Sequence, residues 1–252
     1  MKDIFGTLKN RFTKLKEHVK FLLGPTGGHE PPYSETQPGK WTYFFTLKAL
    51  TALYVTYFRL RIEDRRKLIQ NRQCVVIANH ASLVDGFLLA AIAHIPLNYM
   101  VKKESFDNPL LSIFMRKLYC FPVDRSKEVD MWAVKHSLKL LDEGKNLVIF
   151  PQGKRSFNGY ISRFKPGAFK FAVKKKLPIV PVYISNTDKI ALGNTIRPRF
   201  VKLGVHFLDP IETEEELKKG KTMEDISEMA YEAICTKASE VLGFDVRLDS
   251  ED

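Results

Sequence analysis

From residue 74 onward, apolar runs of four to eight residues alternate with stretches of helical periodicity, and each run stops at a polar or glycine-bearing turn. The runs are Cys74–Ala78, Asn98–Val101, Cys120–Val123, Asn146–Phe150, Ile179–Ile184 and Phe200–Phe207. Between and after them, Leu83–Ala93, Pro109–Leu118, Val129–Asp142, Gly167–Lys176 and Met223–Leu242 read as helices. Short, continuously apolar runs suit strands buried on both faces, and their alternation with helices predicts an α/β fold. The expected architecture is a single mixed or parallel-sheet domain over 61–252, flanked by helices.

Ahead of that domain lie two other kinds of segment. Ile4, Leu8, Phe12, Leu15, Val19 and Leu22 recur at steps of three and four, with Lys9, Arg11, Lys14, Lys16 and Lys20 mostly off the stripe. This basic amphipathic helix suits a membrane surface, a partner, or its own core. After the Pro- and Gly-rich loop 24–40 comes residues 41–60, which hold only Lys48 as a charge before Arg59 and carry many aromatics. Twenty such residues would just cross a bilayer, but Thr42, Thr46, Thr51 and Thr56 weaken a span, and the aromatics favour an interface. Basic clusters on both flanks also oppose a single crossing. Residues 1–60 are therefore read as a membrane-interface helical pair, with a true span or a buried core helix as the alternatives. The first ten residues do not read as a cleaved signal peptide.

The formal net charge is +11, with the positive excess ahead of residue 209 and an acidic tail behind it. Such a field attracts an anionic membrane surface or nucleic acid. The basic residues are spread over several strand-end turns without a nucleic-acid motif, which points to the membrane. Cys74, Cys120 and Cys235 are odd in number and far apart, so neither a disulfide framework nor a cysteine-rich zinc site is expected. The histidines show no ligand spacing, so no metal is expected.

Ligands of α/β sheets gather at the carboxyl ends of strands. The first strand runs into Asn79-His80-Ala81-Ser82, and Asp85 follows five residues after His80. A carboxylate on one imidazole nitrogen fixes the tautomer and leaves the other free to take a proton. Ser82 to Asp85 also reads as a capping box, so spacing alone leaves both readings open. A second strand ends at Pro151-Gln152-Gly153-Lys154-Arg155. Gly153 permits close backbone approach and Arg155 offers a planar fork for phosphate, although a solvated basic turn would read the same way. Lys102 and Lys103 follow another strand end, and Lys165-Pro166-Gly167-Ala168 leads a helix whose N-terminus suits an anion.

Together these blocks resemble the glycerolipid acyltransferase family. Asn79 to Asp85 is similar to its NHxSxxD block, Phe150 to Ser156 to FPEGTRS, and Lys165 to Ala168 to KxGA. Lys102 to Arg125, ending Phe121-Pro122-Val123-Asp124-Arg125, resembles the intervening acceptor block, and Val180-Pro181-Val182 the final apolar block. The five lie in the family's order over about residues 74–185 and resemble most the bacterial 1-acylglycerol-3-phosphate acyltransferases. The resemblance implies acyl transfer from a thioester to a lysophospholipid hydroxyl, with His80 as general base and Asp85 orienting it. It further implies phosphate binding by Arg155, Lys102, Lys103 and Lys165, and acceptor positioning by Gln152, Gly153, Lys154 and Ser82. Pro181 and Gly167 would shape the acyl pocket or the fold.

No cofactor is implied. The co-substrate would be an acyl carrier protein or coenzyme A thioester, the acceptor a lysophospholipid, and the location the cytoplasmic face of the cell membrane. Two departures bear on the acceptor: Gln152 stands where the family has Glu, and Lys154 where it has Thr. A neutral amide both donates and accepts, and an added cation favours a larger or more anionic lysophospholipid.

Overall fold

Among the described residues nine strands form two sheets: β1 (Arg61–Glu63), β2 (Val75–Ala78), β3 (Leu97–Lys102), β4 (Cys120–Val123), β5 (Asn146–Ile149), β6 (Ile179–Ser185), β7 (Ala191–Leu192), β8 (Thr195–Ile196) and β9 (Gly204–Phe207). Seven of them make the main sheet, in the order β1-β9-β6-β2-β5-β3-β4, and β7 and β8 pair separately. The five from β6 to β4 are mutually parallel. β9 runs antiparallel to β6 and parallel to β1, so of the mixed and parallel sheets that the sequence leaves open this is the mixed one. This computed structural model describes residues 45, 48, 49, 51–54, 57–68, 72–93, 95–156, 158–192, 195, 196 and 201–247. The predicted basic helix within 1–23 and the loop 24–40 lie outside the described residues.

The helices with described bounds are α1 (Asp85–Ala93), α2 (Pro109–Lys117), α3 (Met131–Asp142), α4 (Lys170–Lys175), α5 (Thr213–Lys218) and α6 (Met223–Leu242). Strand alternation divides the core between two layers. Val76 and Ala78 of β2 pack with Leu88 and Ile92 of α1 and Met115 of α2. Val75 and Ile77 pack on the other face with Leu140 of α3, Phe171 of α4 and Ile234 of α6. β2 is wholly buried and has β5 and β6 as neighbours, which accounts for its uninterrupted apolar sequence.

Pro181 sits inside β6, where a proline normally removes a ladder hydrogen bond. Its carbonyl accepts from Leu208 N at 2.9 Å, one position past the Val182–Phe207 end of the β6–β9 register, so the missing N–H falls at the end of that ladder. Local signals fix α6 at both ends. Thr222 and Asp225 form a capping box, and Gly243 follows the helix at φ +80°.

The described residues between 45 and 57 have helical backbone, and they are seated on α1. Thr51 Oγ1 donates to Ala91 O at 2.7 Å, while Tyr54 and Phe58 enter the α1 layer of the core. Phe45 and Leu53 remain exposed. No helix among the described residues is long and apolar enough to cross a membrane. β1 and α5 have no counterpart among the predicted elements, for both are short and rich in charge.

Candidate active site

The parallel strands deliver four loops to one edge of the sheet: 79–84 after β2, 103–108 after β3, 124–130 after β4 and 150–156 after β5. His80 stands in the first. Its Nδ1 lies 2.8 Å from Asp85 Oδ2, and the same oxygen accepts from Ala81 N and Ser82 N, each at 2.8 Å. One carboxylate oxygen therefore makes both the contact that a cap makes and the contact to the imidazole. It accepts from the backbone ahead of α1, as a capping carboxylate does, and lies within hydrogen-bond reach of the imidazole. Asp85 is fully buried while the His80 side chain retains 21% exposure, so the pair is backed by protein and open on the histidine side. Asp85 Oδ1 is buried without a hydrogen-bond partner among the described residues. Burial first, and the charge of Asp85 second, raise the Tyr54 phenol well above the ordinary range.

Phe150 stacks on the imidazole, ring centroids 4.4 Å apart. Gln152 is buried, with Oε1 accepting from His80 N at 2.6 Å and Nε2 donating to Ser156 Oγ at 3.0 Å and Ser162 Oγ at 3.2 Å. Ser156 N donates in turn to His80 O at 2.9 Å. The histidine loop and the Gln152 loop are thus bolted together, and the Gln152 amide faces those loops. Asn79 adds a third anchor. Its side chain donates to Ile184 O at 2.9 Å and accepts from Ile184 N at 2.7 Å, joining the loop after β2 to β6.

A cavity of about 680 Å³ opens against His80. Phe87, Tyr99, Met115, Leu118 and Cys120 make it apolar inside, and Lys102, Arg125, Gly153 and Arg155 supply polar groups. Gly153 adopts φ +72°, and a Cβ there would stand 3.2 Å from Lys165 Cε and Nζ, so Lys165 lies over the Gly153 turn. Lys165 N also donates to Pro151 O at 3.0 Å. Lys102 pairs with Glu104 at 3.7 Å and Lys103 with Asp124 at 3.7 Å.

Of the predicted site residues, the structure therefore gathers His80, Asp85, Gly153, Arg155, Lys102 and Lys165 at one edge. Ser82, Gln152, Lys103 and Lys154 belong to the same loops without lining the cavity. Gly167 is exposed in the Pro166–Phe169 turn, and Pro181 is in the sheet. Arg125 is the addition. It lines the cavity and donates from Nη1 to Gly153 O at 3.0 Å; its place two residues past the end of β4, closing the Lys102 to Arg125 block, is the signal the sequence offers.

Two further features sharpen the site by contrast. His206 Nδ1 lies 2.7 Å from Glu63 Oε2, a second histidine–carboxylate pair. It is buried in the sheet at the opposite side from the cavity, where burial outweighs Glu63 and lowers the imidazole pKa. Pair geometry alone does not make a site; access does. The three thiols are buried, with burial pushing Cys74 up to about 12, Cys235 up to about 11 and Cys120 higher still. None is a thiolate nucleophile at neutral pH. Among the described residues no group of three or more His, Cys, Asp or Glu side chains could hold a metal ion.

A family model described as Acyltransferase matches residues 59–185. Similar curated proteins include a 1-acyl-sn-glycerol-3-phosphate acyltransferase of Limnanthes alba, 30% identical over 65% of this chain and 59% of that one. Another, of Bacillus subtilis (strain 168), is 31% identical over 55% of this chain and 69% of that one. A third, of Cocos nucifera, is 33% identical over 58% and 48%. The chain spans about half the length of several such plant relatives. Among solved structures, the 1-acyl-sn-glycerophosphate (LPA) acyltransferase PlsC from Thermotoga maritima aligns with a TM-score of 0.64 at 23% identity, covering 81% of this chain and 79% of that one. That likeness establishes a shared fold.

Proposed function

The chain belongs to the acyltransferase family, and from that premise we propose that it moves a fatty acyl group from a thioester to the free sn-2 hydroxyl of 1-acylglycerol-3-phosphate, giving phosphatidic acid. The observation that carries this reading is the His80–Asp85 contact at the mouth of an apolar cavity rimmed by cations. Asp85 holds the Nδ1–H of His80, which leaves Nε2 to accept the hydroxyl proton. The oxygen then attacks the thioester carbonyl, a C–O bond forms, the C–S bond breaks, and the thiolate regains the proton from His80. The reaction needs two substrates and no bound cofactor. Phe150 restrains the imidazole plane, so the ring is presented rather than searching rotamers.

Arg155 and Arg125, with Lys102 and Lys165 nearby, supply charge suited to the acceptor phosphate, and the apolar interior suits an acyl chain. The donor is an acyl carrier protein or coenzyme A thioester. Residues 1–60 dock the enzyme on the cytoplasmic leaflet, with Phe45 and Leu53 among the exposed apolar groups of the described part.

The test is thiol release from acyl-coenzyme A and from acyl carrier protein thioester, with and without lysophosphatidic acid, and with phosphatidic acid measured by mass spectrometry. Release that requires the acceptor and matches product formation supports the reading. Release without acceptor, or a preference for a different lysophospholipid in an acceptor panel, overturns the reaction or its acceptor respectively.

A further inference from the structure

We infer that the loop between β4 and α3, residues 124–131, is a second membrane-contacting element at the cavity mouth, and that its partner is an anionic lipid surface. Val129 and Met131 are 51% and 57% exposed, two of the few large apolar side chains left in water among the described residues. A single exposed apolar residue needs no explanation, but two at alternate positions of a loop whose Arg125 lines the cavity do.

The loop is built rather than slack. Asp124 N donates to Asp130 Oδ2 at 2.8 Å, and Ser126 N and Oγ donate to Asp124 Oδ1 at 3.1 and 2.6 Å. Asp130 Oδ1 accepts from Trp132 N and Ala133 N and so caps α3. Trp132 stacks on His136 at 4.8 Å behind it. Asp130 is therefore turned to the loop's own backbone, while Asp124, with 17% side-chain exposure, also pairs through Oδ2 with Lys103 at 3.7 Å and Lys127 at 3.9 Å, which leaves both ammonium groups at the surface. The outer surface is left to Arg125, Lys127, Val129 and Met131, with Glu128 as the one exposed acid of the loop and Lys103 alongside.

Apolar groups interleaved with long cations match an interfacial lipid surface, where the stems and apolar tips enter the headgroup layer and the charges meet phosphate. An acidic carrier protein would be met by the cations alone, and would leave Val129 and Met131 without a role. The position completes the argument. Arg125, in the same loop, lines the cavity, so seating the loop on the membrane brings the mouth to the layer where a lysophospholipid resides. That last step rests on the acyltransferase reading; the surface itself does not.

The experiment uses the full chain and vesicles of phosphatidylcholine carrying about one third phosphatidylglycerol, without acceptor. Val129→Asp/Met131→Asp should weaken vesicle binding about tenfold, and Lys127→Glu severalfold more in low salt than in high salt. Because the native cysteines are buried, Val129→Cys can be labelled with an environment-sensitive dye. Its emission should shift to shorter wavelength on vesicle addition. Unchanged binding by the double variant together with no emission shift overturns the proposal. Unchanged vesicle binding with weakened binding of acyl carrier protein overturns it in favour of a protein partner. In the activity arm, the double variant should raise the KM for vesicle-borne lysophosphatidic acid about tenfold while leaving turnover of a short-chain soluble acceptor unchanged. A wild-type enzyme inactive on both acceptors would sink the acyltransferase reading while the vesicle result still decides the surface.

Discussion

The backbone N–H of His80 and the side-chain oxygen of Gln152 are 2.6 Å apart, so the residue proposed as general base is held from behind by the second motif loop. Gln152 also donates to two serine hydroxyls; a carboxylate has no proton to donate, and keeps these contacts only by accepting from hydroxyls that have turned toward it. Gln152→Glu should stay folded, because Oε1 still accepts from His80. It places a charge behind the imidazole, which should move the acidic limb of the pH–rate profile to higher pH. Gln152→Ala removes the tie and should lower kcat about tenfold or more. A Glu variant with an unmoved profile would detach Gln152 from the histidine.

His80→Ala should lower turnover by roughly 10²–10⁴-fold without loss of the thermal transition. Asp85 is the more informative position, because one oxygen serves two purposes. Asp85→Asn can still accept from Ala81 N and Ser82 N but loses the charge, so activity should fall far more than stability. Asp85→Ala should in addition lose a helix cap worth about 1–2 kcal/mol. Equal stabilities for the two variants would mean that the cap contributes nothing.

Arg155→Ala should raise the acceptor KM roughly 10- to 100-fold, as expected for a charge-assisted contact to phosphate. Arg125→Ala should act similarly and also loosen the Gly153 turn, because its guanidinium holds Gly153 O. Steady-state kinetics with varied lysophosphatidic acid decide this; unchanged KM for both would remove the phosphate assignment.

Alkaline conditions should unfold the protein earlier than its overall charge suggests. Burial raises Cys74 from 9.0 to about 12 and Cys235 from 9.0 to about 11, and raises Tyr183 and Tyr231 in the same direction. These groups keep their protons in the folded chain after the unfolded chain has released them. Their contribution is complete below pH 9.0 and is lost as pH rises toward 11 and 12. The melting temperature, followed by circular dichroism, should therefore fall steeply above pH 9.0. Native thiols should resist a disulfide reagent until that fall begins.

Much of this architecture is legible in the sequence because burial on both strand faces leaves continuous apolar runs. Cys120–Val123 and Met223–Leu242 have the bounds that the residues predict. Arg61–Glu63 escapes notice because an edge strand of three residues with two charges has no apolar signature. Thr213–Lys218 is acidic along its first turn and buries only Thr213. At the site, spacing indicates which residues share a loop but not which way each side chain turns. Gln152 and Arg155 are three residues apart, yet one is buried under His80 and the other lines the cavity. Similarly, spacing makes Asp85 a cap or a partner of His80, and only geometry lets one oxygen be both.

The placement of β2 between β5 and β6 has a consequence for how the chain comes into being. Its apolar residues 75–78 leave the ribosome with both edges bare, since one neighbour begins at Asn146 and the other at Ile179. The first bond to that later sequence, Cys74 N to Asn146 Oδ1, waits for a separation of 72 residues, and the Asn79–Ile184 clasp for 105. At typical elongation rates the strand stays unpaired for on the order of ten seconds. The histidine loop is consequently assembled late, only after synthesis has passed Ile184. Nascent chains that end before β6 should need chaperone shielding and carry no organised His80, whereas chains extended past it gain the clasp in one step.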